Sequence, residues 1–214
     1  MCKQLFFGLV FVCVSSIYGQ QSATKSVFSL SQIGIQFIQG NEQNILFDDP
    51  DYFYRTNVIK GQLHFPLTTV RKTTLSLVLQ PQIQFAKHQL YNKYFVTPDE
   101  TNYLDKQQQF TQLKNLTLLS LEVGLAAKKK VLNTLSLYAQ IGLGFSFINT
   151  ESERLAKGFT FIENVDLGLE YTINNTSSFQ LFTGFGHVSN FNTKQPNSGY
   201  NIINTGIGYL YKLK

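Results

Sequence analysis

TTLSLVLQPQIQFAK, residues 73–87, shows most clearly the alternation that decides the fold. Leu75, Leu77 and Phe85 share one parity, whereas threonine, serine and glutamine occupy most of the other. Successive side chains of a β-strand point to opposite faces, so this pattern predicts a strand with one apolar and one polar face. The stretch is longer than most strands of soluble domains, which run about 5 to 6 residues.

The same period-two alternation recurs in seven other segments of the chain. The eight predicted strands are residues 27–39, 58–65, 73–87, 116–127, 135–147, 159–171, 178–189 and 201–213. Most of them are long enough for a tilted crossing of a bilayer, which takes about 9 to 11 residues. The polar faces suit a narrow barrel lumen, and the apolar faces suit contact with lipid.

The connections between these segments alternate in length. Long polar loops follow the first, third, fifth and seventh strands, and shorter turns follow the second, fourth and sixth. Long outer loops, short periplasmic turns and an even strand number are typical of outer-membrane barrels. We therefore predict an all-β protein, an eight-stranded antiparallel transmembrane β-barrel. The alternative is a soluble, lipocalin-like barrel, which has the same alternation with its faces reversed but does not predict the loop asymmetry.

The N-terminal segment has the features of a secretory signal. Residues 1–19 contain a basic Lys3, then an apolar run, then small residues. We expect this segment to be cleaved, leaving residues 20–214 as a barrel domain in the outer membrane of a Gram-negative cell. Serines interrupt the apolar run before the roughly 20 residues that a membrane anchor requires. A lipoprotein acylated at Cys13 is a second alternative, although Val12 is bulkier than that processing usually accepts.

Charge and cysteine content narrow the function classes. Both cysteines, Cys2 and Cys13, fall in the predicted signal, so the mature chain would have neither a disulfide nor a thiolate site. The net charge is +5, but the lysines are scattered apart from a run at residues 128–130 beside a predicted turn. We interpret that run as a solvated turn and expect no nucleic-acid partner.

A possible catalytic pair ends the seventh predicted strand. His187 and Ser189 are two residues apart, so they share a face, and that face is the apolar one. A serine hydroxyl becomes nucleophilic when a nearby base takes its proton, and imidazole titrates near neutral pH. Asn190, Asn197 or the backbone N–H groups of the turn at residues 196–199 would then stabilise an oxyanion. The plain alternative is two ordinary polar residues in the headgroup layer.

This region resembles the C-terminal signature of the outer-membrane lipid A 3-O-deacylases (PagL-like), which are also grouped with acyloxyacyl hydrolases. Their pattern is His-x-Ser-Asn, a short linker, Pro-Asn-x-Gly and a final strand. The matching residues here are His187, Ser189, Asn190, Gln195, Pro196, Asn197 and Gly199. The resemblance implies a histidine base and a serine nucleophile on the barrel exterior. It also implies lipid A of lipopolysaccharide in the outer leaflet as substrate, and no cofactor.

The chain departs from the family pattern at one position. Where the best-known member has a glutamate two residues after the motif glycine, this chain has Asn201. An asparagine accepts a hydrogen bond from histidine but supplies no negative charge to an imidazolium. We expect either a slower dyad or a substitute acid, for which Glu163 is the candidate because antiparallel pairing of the apolar faces sets it beside His187 or Ser189. The alternative is an interface glutamate that extends its charge to water.

Other classes of function have weaker support. His64 lies on a polar face and we place His88 in a loop, so the sequence predicts no metal site. A small-solute channel is disfavoured because eight strands leave little lumen. The main rival is a non-enzymatic barrel with a structural, adhesion or host-interaction role, which Asn201 favours. The sequence leaves a homodimer open.

Overall fold

The computed structural model describes residues 29–42 and 49–213, in which eight antiparallel strands close into a barrel. Each strand pairs with its neighbours in the chain, and β1 closes the ring against β8. The predicted signal, residues 1–19, lies outside the described residues. The strands are β1 (Gln32–Asn41), β2 (Tyr52–Val70), β3 (Thr73–Leu90), β4 (Lys114–Lys130), β5 (Leu135–Ile148), β6 (Gly158–Thr172), β7 (Ser177–Ser189) and β8 (Tyr200–Lys212).

Apolar side chains cover the outside of the barrel, and polar side chains fill most of the inside. In β5, for example, Leu143 and Phe145 are exposed, whereas Gln140 and Ser146 are buried. This confirms the predicted transmembrane barrel. It also excludes the lipocalin-like alternative, in which the apolar faces would line the interior.

Polar side chains close the middle of the lumen. Lys60 Nζ lies 3.2 Å from one carboxylate oxygen of Glu122 and 3.3 Å from the other. Asn164 Nδ2 donates to Glu122 at 2.8 Å. A buried ion pair is tolerated when further hydrogen bonds satisfy its members, as Asn164 does for Glu122. Further lumen pairs include Gln36–Gln180, Gln80–Gln140 and Asn164–Asn204.

The inside changes character at the end with the four long connections, which we call the outer end. Here most of the buried residues are apolar or aromatic and form one cluster, the upper core. Its members are Tyr52, Tyr54, Ala86, Leu90, Val96, Phe110, Leu116, Leu118, Ile148, Leu155, Ile162, Val188, Tyr200 and Ile202. Along β2 the exposed outward residues at this end, Arg55 and Asn57, are instead polar, and Arg55 lies between the buried Tyr54 and Thr56. The polarity of the two faces is therefore inverted where the barrel rises above the lipid.

This inversion explains the errors in the predicted strand ends at the outer end; at the other end β2 also continues to Val70 and β4 to Lys130, past the predicted residues 65 and 127. β2, β3 and β4 contain 19, 18 and 17 residues and extend past the apolar alternation at the outer end. His88, which the sequence placed in a loop, belongs to β3 and points inward. The prediction assumed that apolar strand residues face lipid, which holds only within the membrane. The strands continue beyond the membrane boundary, so their outer ends were not recognised.

The outer connections cover the upper core. The β3–β4 connection, predicted as a plain polar loop, contains a 3-10 helix at Lys93–Phe95 and α1 (Tyr103–Phe110), whose Phe110 is buried in the upper core. Neither of the helices in residues 29–42 and 49–213 is long and apolar enough to cross a membrane.

Candidate active site

Three neighbouring strands bring the predicted site residues together on the outer wall. Strand parity puts His187 and Ser189 on the outward face of β7, opposite to Gly186 and Val188, with His187 half-buried and Ser189 only 8% exposed. In the strand register, His187 lies opposite Asn201 of β8 on one side and opposite Glu163 of β6 on the other. The pair ends β7 next to Val188, an upper-core residue, and so lies at the level where the polarity of the faces inverts.

Asn201 is the hydrogen-bond partner of the histidine ring. His187 Nδ1 lies 2.6 Å from Asn201 Oδ1. An amide oxygen only accepts, so the proton of the neutral ring is on Nδ1, and Nε2 keeps its lone pair. The strand pairing thus selects the tautomer in which Nε2 can act as a base. The amide nevertheless carries no charge to balance a protonated ring.

Glu163 is close in register but is not bonded to the ring. Within the described residues, no hydrogen bond or ion pair joins Glu163 to His187, and the Nδ1 atom is held by Asn201. The side chain is half-buried on the outer wall. Its role as a substitute acid therefore stays a prediction.

The motif glycine fits closely against the pair. A Cβ atom placed on Gly199 would lie 3.2 Å from His187 Cε1, 3.3 Å from Ser189 Cβ and 2.6 Å from the Val188 carbonyl oxygen. Its φ of 66° is also in the left-handed region that favours glycine. No hydrogen bond joins the Ser189 hydroxyl to His187 in the described part of the chain. In free enzymes such bonds are often long and shorten only when substrate binds.

The predicted oxyanion donors already have partners in the loop at residues 190–199. The Asn190 backbone N–H donates to Asn197 Oδ1 at 2.7 Å, and its side-chain amide donates to the Lys194 carbonyl at 2.7 Å. The Gly199 N–H donates to the Arg154 carbonyl at 3.0 Å. Because the loop lacks a backbone ladder, its polar groups must be satisfied by such contacts. These groups hold the loop, so an oxyanion role would require them to exchange partners.

Comparison with known proteins identifies the family. Residues 95–210 match the family model of the lipid A 3-O-deacylase, PagL. The chain belongs to the PagL family. The crystal structure of the outer membrane enzyme PagL has a similar fold, with a TM-score of 0.53 and 14% identity over 83% of this chain and 97% of that chain. Neisserial surface protein A has a TM-score of 0.46 and 9% identity over 86% and 98% of the two chains. A comparison with curated proteins gave no match.

Family membership confirms the resemblance predicted from the C-terminal motif and places the protein in the outer membrane. The matched range includes both halves of that motif. It also includes Asn201, whose amide is a neutral partner for the His187 ring. The roles of these residues stay a prediction.

Aromatic residues lie beside Ser189 in this PagL-family site, and exposed lysines lie in the adjoining connections. Phe161 lies opposite Ser189 in the register, and the ring of Phe191 packs against the Phe161 ring in a tilted arrangement with the centroids 4.5 Å apart. Lys157 and Lys194 are exposed at the rim above, where Lys194 Nζ lies 3.5 Å from the Lys157 carbonyl oxygen. Neither lysine forms an ion pair with any described residue. Ser189 therefore has an aromatic residue opposite it, and the two connections that flank this end of β6 and β7 each carry an exposed lysine.

Sequence reasoning did not find the residues that support this site from the outer loops. His88 Nε2 lies 2.6 Å from Glu153 Oε2, and Tyr54 stacks on both His88 and Tyr200. Arg154 contacts the Gly199 turn directly. No spacing rule connects these distant positions. In residues 29–42 and 49–213, no group of three or more His, Cys, Asp or Glu is placed to hold a metal.

Proposed function

We propose that this protein is an outer-membrane esterase that removes an ester-linked 3-hydroxyacyl chain from lipid A, using Ser189 as nucleophile and His187 as base. The observation that carries the proposal is the 2.6 Å bond from His187 to Asn201, which leaves Nε2 unprotonated on the same outward face as Ser189. The PagL family match supplies the substrate class.

The chemistry follows from these two side chains. Nε2 of His187 takes the hydroxyl proton as Ser189 Oγ attacks the ester carbonyl carbon. The tetrahedral adduct then collapses, and the sugar oxygen leaves with the proton from Nε2. Water attacks the resulting acyl-serine, again losing a proton to Nε2, and releases the 3-hydroxy acid. No step requires a cofactor.

Asn201 is assigned to hold the ring through both steps. Because its amide is neutral, the protonated ring is stabilised less than it would be by a carboxylate, and turnover is correspondingly slower. Glu163, opposite His187 on β6, would supply the missing charge through a change of rotamer.

The surroundings of Ser189 support a phosphorylated glycolipid as the substrate. The aromatic surface of Phe161 and Phe191 suits an acyl chain within the leaflet. Lys157 and Lys194 at the rim suit the phosphate groups of the sugar headgroup. Esters of lipid A lie between these two regions, at the boundary of hydrocarbon and headgroup.

The decisive experiment is mass spectrometry of lipid A from cells that carry the wild-type chain, Ser189→Ala or Ser177→Ala. Ser177 is a matched control, because it lies on the same strand and face at the opposite end, bonded to Tyr209 at 2.8 Å. We expect loss of one 3-hydroxyacyl chain with the wild type and with Ser177→Ala, but not with Ser189→Ala. Identical spectra from all cells would instead support the non-enzymatic barrel.

A further inference from the structure

We infer that Arg154 is a positioning residue for the site, since it fixes the Gly199 turn against His187 and Ser189. The inference rests on the proposed function and adds to it a residue outside the family motif. Arg154 lies in the β5–β6 connection and contacts residues of the other three outer connections or their edges. Within the described chain, all four outer connections thus meet at this one side chain.

On one side, Arg154 and its neighbours hold the turn at residues 196–199. Arg154 Nε donates to the Gly199 carbonyl oxygen at 2.8 Å. The Arg154 carbonyl oxygen accepts from the N–H groups of Ser198 at 2.8 Å and Gly199 at 3.0 Å. The next residue, Leu155, forms an antiparallel bridge with Asn197. The turn is therefore held as a short added strand along the β5–β6 connection.

On the other side, the guanidinium is fixed by groups from the first two outer connections. Its Cζ lies 4.2 Å from the centroid of the Tyr52 ring and 5.4 Å from that of Phe95. Nη1 lies 3.5 Å from Asp49 Oδ2. A planar guanidinium can stack on aromatic faces while its edge donates hydrogen bonds, whereas a lysine ammonium is a single point charge.

The segment that carries Arg154 is itself anchored in the barrel. Glu153 is bonded to His88 at 2.6 Å, and the Ser152 hydroxyl is bonded to the Tyr54 hydroxyl at 2.7 Å. All four of these residues are buried. Arg154 is thus a short link between rigid parts of the protein, so its loss should free the turn without unfolding the strands.

Displacement of the turn would act on both catalytic side chains. Gly199 packs against His187 Cε1 and Ser189 Cβ, and Asn201, two residues further, holds His187 Nδ1. Tyr200 between them is anchored by stacking on Tyr54. When the Arg154 side chain is replaced, the Gly199 carbonyl loses its side-chain donor while the backbone bonds of the turn remain. The turn is then held less tightly, and the productive geometry of the pair is populated for a smaller fraction of the time.

The experiment compares Arg154→Gln and Arg154→Lys with Arg55→Gln. Arg55 is a matched control, because it is an exposed outer-end arginine whose guanidinium lies 5.6 Å from the Phe53 ring, away from the turn. The readouts are kcat and KM on lipid A in detergent micelles, and the rate at which a fluorophosphonate probe labels Ser189. Rates are expressed per folded barrel, measured by the gel mobility of unheated samples.

We expect Arg154→Gln and Arg154→Lys to lower both kcat and the labelling rate about tenfold, the factor for one lost hydrogen bond to a charged group. KM should stay within about twofold of wild type, because the substrate contacts are unchanged. Arg55→Gln should behave as wild type. The labelling rate matters because a residue that only stabilised the fold would not change it per folded molecule.

Three results would overturn the inference while leaving the proposed function intact. These are wild-type kinetics in Arg154→Gln, a lower yield of folded barrel with normal labelling, and a higher KM at unchanged kcat that lysine restores. The last would make Arg154 a direct contact for substrate phosphate. A wild-type protein that neither hydrolyses lipid A nor labels at Ser189 would overturn the proposed function and this inference together.

Discussion

Replacing Asn201 by aspartate should make the protein a faster esterase. The two side chains have the same shape, so the carboxylate would occupy the position of the amide that now lies 2.6 Å from His187 Nδ1. A carboxylate there stabilises the imidazolium that forms as Ser189 loses its proton, which the neutral amide cannot do. The perturbation changes one charge at fixed geometry.

The size of the effect can be estimated from the geometry. Opposite unit charges about 4 Å apart attract by on the order of 4 kcal/mol at an effective dielectric constant of 20. His187 and Asn201 are only half-buried, so solvent screens this attraction, and we discount it to about 1.5 to 2 kcal/mol. Such a gain in the transition state raises kcat about 10- to 30-fold.

The assay measures kcat for release of 3-hydroxy acid from lipid A by wild type, Asn201→Asp, Glu163→Gln and the double variant. Asn115→Asp is the charge control, since Asn115 is an exposed outer-end residue on β4, away from the site. If Glu163 already supplies charge to His187, Glu163→Gln lowers kcat, and adding Asn201→Asp raises kcat more in the Glu163→Gln variant than in the wild type. If it does not, the gain is equal in both backgrounds.

An unchanged kcat for Asn201→Asp in both backgrounds, with activity abolished in Ser189→Ala, would show that charge at the ring does not limit the rate. An equal increase in Asn115→Asp would show that any added surface charge has the same effect, which would also refute the argument.

Three further predictions follow from other contacts. Gly199→Ala should destabilise the protein by roughly 1 to 3 kcal/mol and suppress activity, because the residue has a φ of 66° and the new methyl group would meet the backbone. Urea unfolding and measurement of lipid A turnover would check this. Replacing both Lys157 and Lys194 by glutamine should raise KM for phosphorylated lipid A about fivefold and leave KM for an uncharged ester unchanged. Steady-state kinetics on both substrates would test this. Glu122→Gln should lower the free energy of unfolding by about 3 to 5 kcal/mol, because it leaves Lys60 without its buried counter-ion. Urea unfolding would measure this loss. A smaller loss when Lys60 is also replaced by methionine would support that cause.

The sequence was sufficient for the part of the barrel that meets lipid. In the part of the barrel that contacts lipid, a strand residue faces either lipid or the lumen according to its direction alone. The alternation of residues such as Leu143 and Gln140 therefore identifies both faces. Above it, Tyr54 turns inward and Arg55 outward, and the same rule reverses. The outer ends of some strands, at residues such as His88, were therefore not predicted, although the strands themselves were predicted.

The candidate site divides in the same way. His187, Ser189 and Asn201 were found because strand parity and a motif of fixed spacing relate them. The hydrogen bonds that already occupy Asn190 were not predicted, because a sequence does not show which hydrogen bonds a loop residue forms. Arg154 had no signal at all, because its role depends on four connections that meet only in the folded chain.

The inversion of polarity has a consequence for how such an enzyme meets its substrate. Ser189 lies on the outward face of β7, and polar pairs such as Lys60–Glu122 fill the lumen. With the proposed function, a lipid therefore reaches the site by lateral diffusion within the leaflet, and both products can leave by the same route without crossing the wall. The quantity that sets turnover is then the mole fraction of substrate in the leaflet, a two-dimensional concentration, and not its amount per volume of water.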